Sequence, residues 1–390
     1  MAGTASQSVT IIADDLTGAC DTGCLFAGAG PVGVVAEPDL ATSDRPVITV
    51  DTESRILPPD AAGSVVRATA ERLRKRLASG YVFKKIDSTM RGSVGPELSA
   101  LLAHGFSGAL VCPAFPAHRR IVRDGRLLVD SVPVHESPIG RDPAFHAATS
   151  EIAGLLAGVS PVVRLGLDDV RAGREKIAHL LEKHRGAVVA ADAETDADLV
   201  GLAEAALTVS RTLVAGSAGL GRALSRALGG GVPVVPLPHG HAWLVVIGSL
   251  HPTSRAHVDG AALSVPVVVA GSQGHTDSAA AVAALASGRP AIVASVTTPV
   301  AREDILRSLA QTATEILEGA APDLVAVTGG DTAYAVIRAL GPRRFDLVGA
   351  PADGLALGRL VLRGGREISL LTKAGGFRST VFDALLGGTS

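Results

Sequence analysis

Short β-branched runs alternate with Ala- and Leu-rich amphipathic stretches along nearly the whole chain. Two strands pair in parallel only across a crossover of a dozen or more residues, and a helix is the usual crossover. The alternation therefore restricts the fold to α/β with mostly parallel sheets. Strands are expected at 8–13, 32–36, 46–51, 81–86, 108–112, 161–165, 187–191 and 212–215, then at 242–248, 266–270, 291–295, 323–328, 345–349 and 367–373. Helices are expected at 60–79, 94–104, 167–184 and 195–209, then at 252–263, 277–287, 301–319 and 331–340. Residues 120–136 break the rhythm: Asp124-Gly125 lies between arms of alternating apolar residues, the pattern of a β-hairpin.

At 390 residues the chain exceeds one ordinary core. The best linker is 231–241, where three prolines follow the glycines that end a helix. Two α/β domains are expected, 1–230 and 242–390. A net charge of −2 and an aromatic content of 3% argue against nucleic acid or an anionic membrane as partner. Three cysteines are too few for a disulfide framework and suit a reducing compartment. With no signal-like N-terminus and no apolar run near the ~20 residues that span a bilayer, the expectation is a cytoplasmic protein.

Three strands in the first half end in polar clusters. The first is Asp14-Asp15-Leu16-Thr17-Gly18, the second Lys84-Lys85-Ile86-Asp87-Ser88-Thr89-Met90-Arg91-Gly92, and the third Pro113-Ala114-Phe115-Pro116 with His118-Arg119-Arg120. Open α/β sheets bind ligands outside the carboxyl ends of their strands, so the three can converge on one rim. Arginine or lysine there suits a carboxylate, and Asp, Ser and Thr suit hydroxyls, which together describe a small polyhydroxylated anion. Helix caps and solvated cations are the structural alternative.

In the second half the strand ends are rich in glycine: Gly248-Ser249, Thr328-Gly329-Gly330-Asp331-Thr332 and Lys373-Ala374-Gly375-Gly376-Phe377. Glycines let backbone N–H groups approach a phosphate, and a helix N-terminus adds a favourable dipole. Asp331 is repelled by a bare phosphate, so it reads as a helix cap, as a partner for ribose hydroxyls, or as a neighbour of a bound cation. No P-loop motif occurs. Gly28-Ala29-Gly30-Pro31-Val32-Gly33 matches a dinucleotide fingerprint but stands after a helix, the wrong order. Gly216-Ser217-Ala218-Gly219-Leu220-Gly221 fits either an anion site or a tight turn.

Taken in order, these motifs resemble those of the four-carbon acid sugar kinase family over essentially the whole chain. The matching segments are 12–23, 84–92, 113–116, 214–220, 248–249, 328–332 and 373–377. The resemblance implies two Rossmann-like α/β domains, an N-terminal substrate domain and a C-terminal nucleotide domain, with an active-site cleft between them, and ATP with Mg²⁺ as cofactors. Two departures stand out. His118-Arg119-Arg120 replaces the family's Gly-Arg-Thr-like turn, with only Arg120 fitting, and Ala374 and Arg378 flank Gly375-Gly376 where the family has Ser and Gly.

The expected reaction is phosphorylation by ATP of a terminal hydroxyl of a sugar acid such as erythronate or threonate. Asp14 or Asp15 would orient or deprotonate the hydroxyl, and Arg91 would act with them. Thr17, Lys85, Asp87, Ser88 and Arg120 would bind the acid. Ser249, Gly329, Gly330, Asp331, Thr332, Gly375 and Gly376 would hold ATP. No metal ligand is assigned, and a homodimer is allowed. The rival readings are a kinase of a branched or oxo sugar acid, a metal-dependent hydrolase or aldolase using the same aspartates, and a non-catalytic sensor of the same ligands.

Overall fold

The computed structural model describes residues 8–36, 45–142, 145–159, 161–248, 255, 258–259, 265–271, 278–297 and 300–373. The chain divides into two compact units, Met1–Ala29 with Pro46–Gly231, and Gly30–Arg45 with Val232–Ser390. Among the described residues no helix is long and apolar enough to cross a membrane.

The first unit is built on a parallel sheet. Its strand order is Val162–Leu165, Val188–Ala191, Gly108–Cys112, Thr212–Gly216, Tyr81–Lys85, Val9–Ala13, Val47–Asp51. The central strands are buried on both faces, which is why they read as continuous apolar runs. Ile11, Ile12, Phe83, Leu110 and Leu213 have no exposed surface, and each such side chain contributes about 1.5–3 kcal/mol. Helices Leu16–Cys24, Val94–Leu102 and Ala218–Ala227 pack against this sheet. The hairpin forms as expected, with Arg120–Arg123 antiparallel to Arg126–Val129.

Two helices of the first unit are shorter than expected. The segment 167–184 is broken into Leu167–Arg171 and Arg174–Lys183, because Gly173 takes a φ of 106° between them. The segment 60–79 divides at Leu73 into Pro59–Arg72 and Arg74–Ser79.

The second unit has the order Val32–Val35, Pro342–Gly349, Leu355–Leu362, Glu367–Lys373, Leu324–Thr328, Trp243–Ile247, Ala291–Ser295, Val267–Ala270. From Glu367–Lys373 onward the pairing is parallel, and the first four strands pair antiparallel. Val245, Ile247, Ile292, Ala326, Leu357 and Leu371 form its core. Leu355–Leu362 has no counterpart among the expected strands. Its residues are buried along most of their length, so polar–apolar alternation is missing.

The expected first domain, 1–230, includes residues 30–45, which belong instead to the second unit. Val32–Val35 pairs antiparallel with Pro342–Gly349, Gly33 opposite Asp346. Asp346 also receives Arg45 Nη2 at 3.0 Å and Arg344 Nε at 2.9 Å. A helix expected at 252–263 falls mostly outside the described residues.

Candidate active site

Register places the polar clusters of the first unit side by side. Asp51 pairs with Ala13, Ala13 with Lys85, Lys85 with Gly216, and Gly216 with Cys112, so five strands end in one row. The chain leaves that row as Asp14-Asp15, Thr52-Glu53-Ser54-Arg55, Ile86-Asp87-Ser88, Ser217 and Pro113.

Asp14 and Asp15 are both buried. What makes this tolerable is Arg55, a residue absent from the expected site. Its Nε and Nη2 donate to Asp14 Oδ2 and Oδ1 at 2.9 and 2.7 Å, and Nη2 also reaches Asp15 Oδ1 at 2.6 Å. Burial alone would push the Asp14 carboxyl up. The Arg55 guanidinium, helped by Lys84 and Lys85, more than offsets this and holds it below the usual range. The signal for Arg55 was present in the sequence: 47–55 is a fourth apolar run ending in polar residues.

Asp15 caps the helix Leu16–Cys24, its Oδ1 accepting from Gly18 N at 3.0 Å. Thr17 Oγ1 donates to Asp15 Oδ2 at 2.7 Å, so this hydroxyl is already used within the site. An ideal Cβ on Gly18 would stand 3.1 Å from Lys85 Nζ, so the absent side chain lets that ammonium approach the helix start. Lys85 Nζ donates to Ile86 O at 3.0 Å. Its neighbour Lys84 points elsewhere and forms a fully buried pair with Glu97, at 2.6 Å.

Asp87 serves its own loop. Its Oδ2 accepts from Thr89 N at 3.0 Å, from Thr89 Oγ1 and from Arg91 Nε at 3.1 Å, and its Oδ1 accepts from Arg91 Nη2 at 2.8 Å. Burial raises its pKa, but Arg91 and Arg55 outweigh burial and hold it well below the usual range. Met90, between the two partners, takes a left-handed φ of 62°, a conformation that functional loops retain at a cost of about 1–3 kcal/mol. Asp87 thus organises Arg91 within the loop.

Arg120 Nη1 donates to Ser88 Oγ at 2.9 Å, which joins the hairpin to the second cluster. Arg120 Nε is buried with no hydrogen-bond partner among the described residues. An unpaired guanidinium N–H is costly, and a carboxylate is its natural complement. Cys112 also ends on this rim, but burial pushes its thiol up to about 12, too high for a nucleophile. At Asp51, burial and the nearby Glu53 and Asp15 carboxylates push the pKa well above the usual range.

Gly216–Gly221 takes the tight-turn reading. Ser217 caps the helix Ala218–Ala227 by accepting from Gly219 N at 3.0 Å, and its hydroxyl donates to Ala114 O at 2.6 Å.

In the second unit, Thr328 aligns with Ile247 on one side and Lys373 on the other. Gly329, with a φ of 90°, turns the chain into the helix Gly330–Leu340 and is its N-cap residue, without a side-chain cap. Asp331 therefore lies in the first turn and is not the cap; its Oδ2 pairs with Arg302 Nη2 at 2.5 Å. Thr328 Oγ1 is buried with no partner among the described residues. A Cβ on Gly248 would collide with Thr332 Oγ1, so backbone and hydroxyl are closely apposed there. An uncapped helix start beside an orphaned hydroxyl and bare glycine backbone fits a phosphate group. Gly329, Gly330 and Thr332 stand at this place, whereas Ser249, Gly375 and Gly376 lie outside the described residues.

Residues 9–224 match the family described as the sugar-binding N-terminal domain, and 244–380 match the nucleotide-binding C-terminal domain. A Bordetella bronchiseptica protein named D-threonate kinase is 34% identical, covering 95% of this chain and 94% of its own. One of the same name from Salmonella typhimurium is 31% identical over 97% and 98%. Other relatives are named 3-oxo-tetronate kinase and D-erythronate kinase. A solved structure from Salmonella typhimurium has the same fold, with a TM-score of 0.77, 21% identity, and coverage of 97% and 98%. A Bordetella bronchiseptica structure, 29% identical over 97% and 98% with a TM-score of 0.51, holds citrate and is a domain-swapped dimer. With both halves matched and relatives above 30% identity along nearly its full length, the chain belongs to the four-carbon acid sugar kinase family.

Proposed function

We propose that this chain transfers the γ-phosphoryl group of ATP to a terminal hydroxyl of a four-carbon sugar acid, with D-threonate the acid to test first. The observation that carries the reading is the row of aligned strand ends, where Asp14 is kept ionised by Arg55 and Arg120 keeps a buried N–H unpaired. In this reading Asp14 receives the hydroxyl proton, Arg120 and Ser88 hold the carboxylate end, and Lys85 and Arg91 supply positive charge near the transferring group. Phosphoryl transfer depends mostly on positioning and charge stabilisation, which this set of residues can provide.

ATP would sit with its phosphates at Gly329, Gly330 and Thr332. Among the described residues no group of three or more His, Cys, Asp or Glu side chains is placed to hold a metal. Mg²⁺ carried on ATP needs only one or two protein carboxylates, and it would neutralise charge on the phosphates. Cys20, Cys24 and Cys112 are buried and form no disulfide, which suits the cytoplasm. The swapped dimer of the Bordetella structure supports a homodimer as the assembly.

The test is ADP release from Mg-ATP with D-threonate, D-erythronate and 3-oxo-tetronate, with the product identified by mass. Acid-dependent ADP formation is expected. Asp14→Asn should lower kcat by about 100-fold or more while leaving the KM for ATP nearly unchanged. ADP release indifferent to every acid, or equal loss of kcat and ATP affinity in Asp14→Asn, would overturn the reading.

A further inference from the structure

Arg120 reaches the rim from the end of a hairpin whose other end is held elsewhere. The turn residues Asp124 and Gly125 have φ of 52° and 74°, the type I′ geometry that Asp-Gly favours. Gly125 N donates to Asp192 Oδ1 at 2.8 Å. Asp192 Oδ2 accepts from Arg164 Nε at 3.2 Å and Nη2 at 2.7 Å, and that Nη2 also reaches Asp124 Oδ1 at 2.8 Å. Asp192 has no exposed surface, and both its oxygens are spent on this clamp. The next two residues continue it. Val122 and Ala193 exchange two backbone hydrogen bonds of 2.9 and 3.0 Å, and Glu194 pairs with Arg123 and with Arg171.

The hairpin and Val132–Pro133 form a small three-stranded antiparallel sheet, and three consecutive attachments to the end of Val188–Ala191 fix the orientation of its tip. We propose that Asp192 is a positioning residue for acid recognition, clamping the hairpin tip so that Arg120 stands at Ser88 with its Nε turned to the substrate carboxylate. This rests on the reading of Arg120 as the carboxylate anchor. The lever is long: a tilt of about 5° over a strand of about 13 Å moves the guanidinium by about 1 Å, and such a displacement can cost up to about 100-fold.

The test is calorimetric binding of D-threonate, D-erythronate and 3-oxo-tetronate in the absence of nucleotide, so that acid recognition is read apart from transfer. Asp192→Ala should weaken the acid that binds by about tenfold and change ATP affinity by less than about twofold. In an Arg120→Ala background the same substitution should change acid affinity by less than about twofold, because Asp192 acts through Arg120. A purely structural role would add the same loss in both backgrounds, and that result overturns the inference, as does unchanged acid affinity in Asp192→Ala. Should Asp192→Ala fail to fold, Arg164→Gln, at a half-exposed side chain, makes the same comparison. If the unaltered chain binds none of the three acids, the substrate reading falls and the inference with it. Binding that is indifferent to Asp192→Ala removes the inference alone.

Discussion

Arg55→Met keeps most of the buried length of the side chain and removes its charge. Arg55 is 18% exposed, and its three hydrogen bonds to Asp14 and Asp15 measure 2.9, 2.7 and 2.6 Å. Removing one partner of a buried ion pair costs about 3–5 kcal/mol. At about 2–4 °C per kcal/mol for a unit of this size, Tm should fall by about 6–20 °C at pH 7. The pH dependence has a definite sign. Asp14 is held below the ~3.9 of an unfolded aspartate, so its contribution is complete above that value and is lost as pH falls through the depressed pKa. Without Arg55, burial is opposed only by Lys84 and Lys85, and the Asp14 pKa rises. The difference in Tm between the two proteins should therefore be widest at pH 7 and narrow below about pH 4. The acidic limb of the kcat profile should move to higher pH. Thermal unfolding across pH 3–8 checks the first part and steady-state kinetics the second. A loss under about 2 °C at pH 7, or a gap that widens in acid, would refute the reasoning.

Three further outcomes are expected. Gly248→Ala places a methyl against Thr332 Oγ1 and should raise the KM for ATP about tenfold or more with little change for the acid; equal effects on both would contradict the phosphate cradle. Asp51 has a raised pKa, so its stabilisation is present below the unfolded value and lost as pH rises through the folded one. Asp51→Asn keeps an acceptor for Glu53 N and should gain in Tm on the unaltered protein between pH 5 and 8, whereas a pH-independent difference would refute the sign. Lys84→Met and Glu97→Leu should each cost about 3–5 kcal/mol in denaturant unfolding, and the Lys84→Met/Glu97→Leu double variant less than their sum, because no lone charge stays buried; additive losses would refute this.

The alternation of apolar runs and amphipathic stretches determined the α/β class, most strand positions and the Asp-Gly hairpin, because each depends on residues close together in sequence. The polar strand ends were legible for the same reason: a buried strand has to stop where carboxylates begin. Tertiary structure alone decided which strands neighbour one another. That is why Val32–Val35 joins the second unit through a partner at Asp346, and why Leu355–Leu362, without alternation, escaped notice. It also decided which charges meet. Asp14 and Arg55 lie on separate strand ends, and Asp87 holds Arg91 within its own loop. A sequence specifies that a buried carboxylate must be compensated, but the identity of the compensating group is fixed only when parallel register brings distant strand ends to one edge.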